Sequence, residues 1–144
     1  MMSEKPGKIE KPCRIIEGYG NMRLEDITRL LRTTYWAGQR PPEQIEKACQ
    51  NSMCFGVYLE DEDKLIGFAR VISDFATTYY LCDVVIDREY RRNGYGTELI
   101  SYIESLPVFS NLRGILITRD AHGLYSKFGF DVVNGRFMVK NPAG

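Results

Sequence analysis

Apolar residues cluster along this chain in short runs that are long enough for β-strands and too short for most helices. The runs are rich in Val, Ile, Tyr and Phe, and turn-forming or charged residues flank them, which favours strands. The predicted strands are Cys13–Glu17, Met53–Leu59, residues 65–72 and residues 77–86. The acidic stretch between the second and third strands, residues 60–63, is typical of a solvated hairpin and is not expected to bind a metal.

Two helices are predicted between the first and second strands. Leu24, Ile27, Leu30 and Leu31 recur at the spacing of one helix face, which predicts a helix running toward Tyr35 and Trp36. The Arg40-Pro41-Pro42 segment then breaks the chain. Pro42 suits the first turn of a second helix, which is expected to end near Asn51.

The second half of the chain predicts two more helices and three more strands. A helix over residues 96–106 is stopped by Pro107, and Leu116 with Ile117 predicts a short buried strand. Asp120 is the expected N-cap of the next helix, and Gly129 is its expected stop. The apolar face of that helix comprises Ala121, Leu124, Tyr125 and Phe128. Residues 131–133 and 136–139 are the last predicted strands, and the whole order predicts an α/β fold with a mixed sheet flanked by helices.

Length and composition predict one globular domain. The chain has 144 residues, 44% of them hydrophobic, which is enough for one core. We expect a flexible tail over residues 1–12 and a single domain over residues 13–144. The polar tail does not resemble a signal peptide, and no apolar run could span a membrane.

Charge and cysteine usage narrow the expected partners further. The 19 basic and 19 acidic side chains balance, so no nucleic-acid partner is expected. The four cysteines lack the spacing of a zinc site, so free thiols in the cytoplasm are expected, with no metal.

The most informative segment follows the strand over residues 77–86. Arg91-Arg92-Asn93-Gly94-Tyr95-Gly96 leads directly into a helix, and glycines at 94 and 96 let an anion approach the backbone N–H groups closely. The segment fits neither a dinucleotide-binding G-x-G-x-x-G nor a P-loop G-x-x-x-x-G-K-[ST] pattern. It matches [RQ]-x-x-G-x-[GA], and Leu124-Tyr125 followed by Gly129-Phe130 matches the pattern LYxxxGF.

These two motifs, in this order and at this distance, resemble the GNAT superfamily of acyl-CoA-dependent N-acyltransferases, in particular its small bacterial-type members. The resemblance implies the GNAT fold, with a mixed, mostly antiparallel sheet and about four helices. It implies acetyl-CoA as the co-substrate, with the pyrophosphate on the glycine loop and the pantetheine arm along the preceding strand. The implied coenzyme-binding residues are Val84, Val85, Ile86, Arg91, Arg92, Asn93, Gly94, Tyr95, Gly96, Thr97 and Thr118.

Acyl transfer to an amine needs a proton donor for the departing thiolate and a route for the proton of the amine. The resemblance assigns the donor role to Tyr125. Alternatively, Tyr125 is only a tyrosine of the hydrophobic core.

Only about 0.04% of an alkylamine is neutral at pH 7, so a base or a proton wire to water is required. Asp83 is the predicted base, because an isolated carboxylate in an apolar strand should have a raised pKa. It could instead be structural, and in several GNAT enzymes the acid occupies the position of Tyr80. His122 is the weaker candidate.

The acceptor is expected to be a small-molecule amine or a peptide amine. The resemblance places its pocket among the first two helices and the loops around the strand over residues 77–86, where aromatic walls with one or two acids would suit a small cationic amine. The predicted pocket residues are Tyr35, Trp36, Arg40, Asp74, Tyr79 and Tyr80.

Two other functions stay open at this point. The same loop could serve a non-catalytic acyl-CoA sensor or interaction module, and an unrelated nucleotide-binding or structural domain could also carry it. A homodimer is compatible with the sequence.

Overall fold

The computed structural model describes residue 9 and residues 11–143, so the predicted tail over residues 1–12 lies largely outside the described residues. Within them the chain forms one five-stranded sheet. The strands are β1 (Cys13–Glu17), β2 (Met53–Leu59), β3 (Lys64–Ser73), β4 (Thr78–Ile86) and β5 (Arg113–Ile115). They lie in the order of the sequence, with antiparallel pairing throughout except between β4 and β5, which are parallel. The predicted mixed, mostly antiparallel sheet is confirmed.

Four helices cover the two faces of this sheet. They are α1 (Leu24–Leu31), α2 (Pro42–Gln50), α3 (Tyr95–Glu104) and α4 (His122–Ser126). On one face α1 and α2 bury side chains such as Ile27, Leu30 and Ile45 against Phe68 of β3. On the other face Leu99 and Ile103 of α3 and Leu124 of α4 pack against residues of β2 and β3. Pro42 opens α2 as predicted, and α1 and α2 pack as a pair on one face.

A bulge interrupts β4 where it pairs with β3. Phe68 pairs with Val85 and Arg70 with Cys82, so both Asp83 and Val84 lie opposite the single residue Ala69. Asp83 takes a positive φ of 54°, which is rare for a residue with a side chain. Such an insertion reverses the faces of the strand after it and re-aims a side chain, and bulges are frequent beside active sites.

The carboxyl-terminal part departs from the predicted pattern. The strand predicted at Leu116 and Ile117 is wrong, because β5 lies earlier and ends at Ile115, and Ile117 is exposed. The two strands predicted over residues 131–133 and 136–139 do not form either. Their apolar side chains are mostly exposed, with Val132 65%, Phe137 63% and Met138 94% exposed. Strand propensity alone does not make a strand without a partner to pair with.

The predicted end of α4 is confirmed. Gly129 has a positive φ of 89°, and the N–H of Phe130 donates to the Tyr125 carbonyl oxygen at 3.3 Å. The rings of Tyr125 and Phe130 meet edge to face, with 6.1 Å between centroids. Asp120 is not the cap, because the helix begins after Ala121 and the Thr118 hydroxyl accepts the Ala121 N–H at 3.0 Å. No helix among residues 9 and 11–143 is long and apolar enough to cross a membrane.

Candidate active site

A cleft of about 580 Å³ opens beside the bulge of β4. Its floor is the second half of β4, and its walls come from the segment after α1 and from the segment between β5 and α4. Thr118, Ala121 and Tyr125 line one side, and Tyr35, Trp36 and Arg40 line the other. The bulge therefore lies at the point where the two walls face each other.

Asp83 is the most tightly held side chain in the cleft. Its Oδ2 accepts hydrogen bonds from Arg40 Nη1 and from Arg70 Nε, both at 2.8 Å. Its Oδ1 accepts the indole N–H of Trp36 at 2.9 Å. The Asp83 side chain is only 3% exposed. Both carboxylate oxygens therefore have charged or polar donors before any substrate arrives.

The raised pKa predicted for Asp83 is wrong. Burial does raise the pKa of this carboxyl, but the hydrogen bonds and charges of Arg40 and Arg70 outweigh burial and leave the pKa below its ordinary value of 3.8. The sequence did not show that two guanidinium groups converge on it. Asp83 is thus ionised at neutral pH, and its role as the base stays a prediction.

Tyr125 lies across the cleft from this cluster. It is the fourth residue of α4, and its ring is buried against the core while it also lines the cleft. Burial raises the pKa of its phenol above 10.0, and the nearby Asp120 adds to the effect. Among the described residues the Tyr125 hydroxyl has no hydrogen-bond partner, so its proton is available to a group bound in the cleft. The phenol is protonated at neutral pH, as a proton donor must be.

The loop from β4 to α3 forms the other end of the cleft. Arg91 donates from Nε to the Ile86 carbonyl oxygen at 3.0 Å, and the Asn93 amide donates to the Arg91 carbonyl oxygen at 3.3 Å. Gly94 precedes α3 with a φ of 86°, in the region that favours glycine. The first N–H groups of α3 have no partner within the helix, and the helix dipole makes this end positive. With Arg88 and Arg91 on the cleft wall, this donor set fits a pyrophosphate.

The predicted coenzyme residues divide into three groups. Val84, Ile86, Arg91 and Thr118 line the cleft. Val85 points to the opposite face, where it packs with the core under α1 and α2, and the Tyr95 ring is buried under α3. These two can contribute only backbone groups to a ligand. The remaining five residues do not line the cleft. Arg92, Asn93 and Gly94 lie in the loop, and Gly96 and Thr97 lie in the first turn of α3.

The predicted acceptor residues also divide. Tyr35, Trp36, Arg40 and Tyr80 line the cleft, whereas Tyr79 and Asp74 do not. Tyr79 lies on the other face of β4, where its ring stacks on Phe109 and its hydroxyl donates to Glu104 at 2.8 Å. The carboxylate of Asp74 accepts three backbone N–H groups of the turn between β3 and β4. The alternation of β4 explains Tyr79, because neighbouring residues of a strand face opposite sides.

Sequence reasoning missed Arg70 and Arg119 as cleft residues. Arg70 is a lone charge in an apolar strand, which is the same signal that identified Asp83, and the two charges could have been paired on that ground. Arg119 lies in the irregular segment before α4, with its guanidinium carbon 3.8 Å from the centroid of the Tyr35 ring. No sequence pattern marked that contact.

His122 and three of the four cysteines do not line the cleft, whereas Cys82 does. His122 begins α4 and is exposed, and it does not line the cleft. Cys82 lines the cleft, and burial raises the pKa of its thiol to about 11, so it is not a thiolate at neutral pH. Among the described residues all four cysteines are unpaired, and no cluster of His, Cys, Asp and Glu could hold a metal ion.

Relatives in sequence agree with this geometry. Residues 24–130 match the Acetyltransferase (GNAT) family. The chain is 30% identical over 111 residues to a protein of Gibberella zeae named as an acetyltransferase, covering 65% of this chain and 63% of that protein. It is 36% identical over 83 residues to an N-acetyltransferase named ycf52-like in Prochlorococcus marinus, covering 56% and 46%. The chain thus spans less than two thirds of the length of these two curated relatives.

Solved structures give the same answer. A crystal structure from Xanthomonas campestris pv. campestris, named as a GNAT-family acetyltransferase, is 33% identical, with a TM-score of 0.83 over 92% of this chain and 95% of that one. An aminoglycoside N-acetyltransferase solved with CoA is 14% identical, has a TM-score of 0.70 and covers 92% and 96%, which supports the fold alone. With a family match over residues 24–130 and a solved relative matched over nearly its full length, the chain belongs to the GNAT acetyltransferase family.

Proposed function

We propose that this chain is an acetyl-CoA-dependent N-acetyltransferase that transfers the acetyl group to a primary amine by direct attack in a ternary complex. The observation that carries this proposal is one cleft with two unlike ends. At one end, the N-terminus of α3 with Arg88 and Arg91 suits a pyrophosphate. Beside it, Tyr125 lines the part of the cleft where the thioester would lie, and its hydroxyl has no hydrogen-bond partner among the described residues.

The coenzyme would supply the activated acetyl group, and the residues of the chain would hold and protonate it. Backbone groups of residues 84–86 would pair with the pantetheine arm, and the loop over residues 91–97 would hold the pyrophosphate. Thr118 would contribute less than the motif implies, because its hydroxyl already accepts the Ala121 N–H.

The transfer itself makes one bond and breaks one. The lone pair of the neutral amine attacks the carbonyl carbon, so that a C–N bond forms as the C–S bond breaks. Backbone N–H groups of β4 can stabilise the charge that develops on the carbonyl oxygen. Tyr125 donates its proton to the departing sulfur and regains one from water.

The proton of the amine needs its own route. Both oxygens of Asp83 already accept hydrogen bonds, and its lowered pKa makes it a weak proton acceptor. We therefore propose that water in the open cleft carries this proton to solvent, and that Asp83 is a positioning residue that orients Arg40 and Trp36.

Thiol release from acetyl-CoA tests the proposal against its alternatives. The whole chain would be assayed with a panel of amines, amino acids and peptides, and coenzyme affinity would be measured in parallel. Amine-dependent thiol release supports the transferase. Coenzyme binding without thiol release across the panel would favour the sensor, and preferential binding of ATP or NAD would favour the unrelated nucleotide-binding domain.

We also propose a homodimer. The β5 edge of the sheet pairs with no further described strand, and the apolar residues Val132, Phe137 and Val139 of the same chain are exposed. A second copy could pair its residues 136–139 with that edge, and the contact would be reciprocal in a twofold dimer. Light scattering should show a dimer that Phe137→Glu converts to monomer, and a monomeric wild-type protein would refute the proposal.

A further inference from the structure

We infer that the acceptor amine carries a negative charge, either a carboxylate or a phosphate, and that Arg40 and Arg119 bind this anion. The inference rests on the proposed function, whose acceptor it specifies. The cleft is lined by five arginines and two aspartates, an excess of three positive charges. This is the opposite of the acidic pocket that a small cationic amine would need.

The excess is present at the acceptor end as well as at the coenzyme end. Arg88 and Arg91 lie by the loop before α3 and suit the pyrophosphate. Arg40 and Arg70 lie around Asp83, where two guanidinium groups share one carboxylate. One positive charge is therefore not compensated within the cluster.

Asp83 cannot offer a salt bridge to a cationic substrate. Its two oxygens accept three hydrogen bonds, and its side chain is nearly inaccessible. Asp74, the other acid expected in the pocket, lies in the turn between β3 and β4. The other aspartate of the cleft, Asp120, belongs to the opposite wall, near Tyr125. An ammonium group entering this end would thus meet guanidinium groups without a free carboxylate beside them.

Donors for an anion remain at the same place. Arg40 uses Nη1 for Asp83, and among the described residues its Nε and Nη2 have no hydrogen-bond partner, while its side chain is 21% exposed. Arg119 lies over the Tyr35 ring, which meets the Trp36 ring edge to face at 5.0 Å, and Trp36 donates to Asp83. Arg119 belongs to the segment between β5 and α4, and this chain of contacts brings its guanidinium across the cleft to the wall that holds the cluster. A planar guanidinium pairs with carboxylate and phosphate through two parallel hydrogen bonds.

The same charge would assist the reaction. A nearby positive charge disfavours the protonated form of an amine, so it lowers the pKa of the amine and increases the neutral fraction. An anionic substituent would secure binding in spite of the repulsion of the ammonium group. The cleft would then need no dedicated base, which agrees with the observation that both oxygens of Asp83 already accept hydrogen bonds.

The test compares amines that differ only in the anion. An amino acid is paired with its amide, and phosphoethanolamine with ethanolamine, so that the two arms separate carboxylate from phosphate. In at least one arm we expect kcat/KM for the anionic member to be about tenfold higher or more, and this preference should weaken as salt is added. Equal or better turnover of the neutral members in both arms would overturn the inference while leaving the transferase standing.

Charge-reversal variants test whether Arg119 binds the anion. Arg119→Glu should abolish the preference for the anionic amine and leave the dissociation constant of the coenzyme unchanged. Arg113→Glu on the exposed β5 changes the net charge equally but does not line the cleft, and it should keep the preference. Identical behaviour of the two variants would contradict the assignment to Arg119.

A second measurement tests the anion site even if the proposed function fails, that is, if the protein releases no thiol with any amine. Binding of an N-acetylated amino acid and its amide, and of N-acetylphosphoethanolamine and N-acetylethanolamine, to the coenzyme-loaded protein would then be compared by calorimetry. Tighter binding of the anionic member of either pair supports the anion site, and equal affinity in both pairs refutes it.

Discussion

The two ends of the cleft are built in different ways. The coenzyme end comes from one continuous segment, residues 86–97, within which Arg91 Nε donates to the Ile86 carbonyl oxygen and the Asn93 amide donates to the Arg91 carbonyl oxygen. Longer-range bonds, such as that from the Asp87 N–H to the Ile66 carbonyl oxygen, only tie this segment to the sheet. The other end is assembled around Asp83 by Arg70, Arg40 and Trp36, which are 13, 43 and 47 positions away. A local motif therefore makes the first end, and the packing of α1, β3 and β4 makes the second.

Their energetics differ as well. The coenzyme end keeps unpartnered donors at the start of α3, so it gains its main interactions only when an anion binds. At the cluster end the carboxylate of Asp83 is already satisfied, and its ion pairs stabilise the folded chain before any ligand arrives. Changes at the first end should therefore affect coenzyme binding, and loss of the Asp83 carboxylate should affect folding.

The sharpest test of that difference is Asp83→Asn. The variant leaves two partly buried guanidinium groups without their carboxylate, which should lower the free energy of unfolding by about 3–5 kcal/mol. Urea unfolding at neutral pH measures this. Asp74→Asn, which removes an exposed carboxylate that accepts four hydrogen bonds against three for Asp83, is the matched control and should cost much less. A stable Asp83→Asn protein with full kcat would show that the cluster is neither structural nor catalytic.

The pH dependence of that difference follows from the lowered pKa of Asp83. Because the pKa is lower in the folded state than its ordinary 3.8, the stabilisation is complete above the unfolded-state pKa and is lost as the pH falls through the folded-state pKa. The stability gap between wild type and Asp83→Asn should be constant from about pH 7 to about pH 5 and should close below about pH 4. A stability gap that already closes near neutral pH would indicate that the pKa of Asp83 is raised in the folded state, and it would support Asp83 as the base.

Tyr125→Phe tests the chemistry between the two ends. The ring packing in the core is kept and only the proton is lost, so kcat should fall by roughly 100-fold while coenzyme affinity changes little. Phe128→Leu, which alters packing on the same segment without touching the hydroxyl, serves as the control. Wild-type turnover in folded Tyr125→Phe would leave Tyr125 as a core residue only.

Replacing Gly94 and Gly96 by valine tests the coenzyme end. The valines would block the approach of a phosphate and strain the positive φ of Gly94, so coenzyme affinity should fall by about tenfold or more. Gly135→Val introduces similar strain at a φ of 76° in the exposed carboxyl-terminal segment and should leave affinity intact. Unchanged affinity in a folded double variant would refute the placement of the pyrophosphate.

The smallest effect is expected for His122→Gln. The side chain is exposed at the start of α4 and does not line the cleft, so kcat/KM and its pH profile should stay close to wild type. Loss of the acidic limb of the pH profile in this variant would move the base role to His122.

Most elements of the fold could be predicted because their signals are local. The bounds of β1 and β2 follow from apolar runs, α2 starts at Pro42, and Gly129 ends the last helix as its position predicts. The strands over residues 131–133 and 136–139 failed because a strand also needs a partner, and no strand among the described residues pairs with them. Tyr79 failed as a pocket residue because neighbouring residues of β4 face opposite sides and only the packing of the sheet decides which side faces the cleft.

The sequence by itself determined the family, the element order through α3 and the two motifs that frame the cleft, since each depends on residues close together in the chain. The tertiary structure alone decided the charge of the cleft. In the sequence Asp83 is an isolated acid, for which a raised pKa is expected. In the folded chain Arg40 and Arg70 each donate a hydrogen bond to it at 2.8 Å, and its pKa is lowered. Electrostatic interactions depend on distance in space, and separation along the chain does not encode that distance.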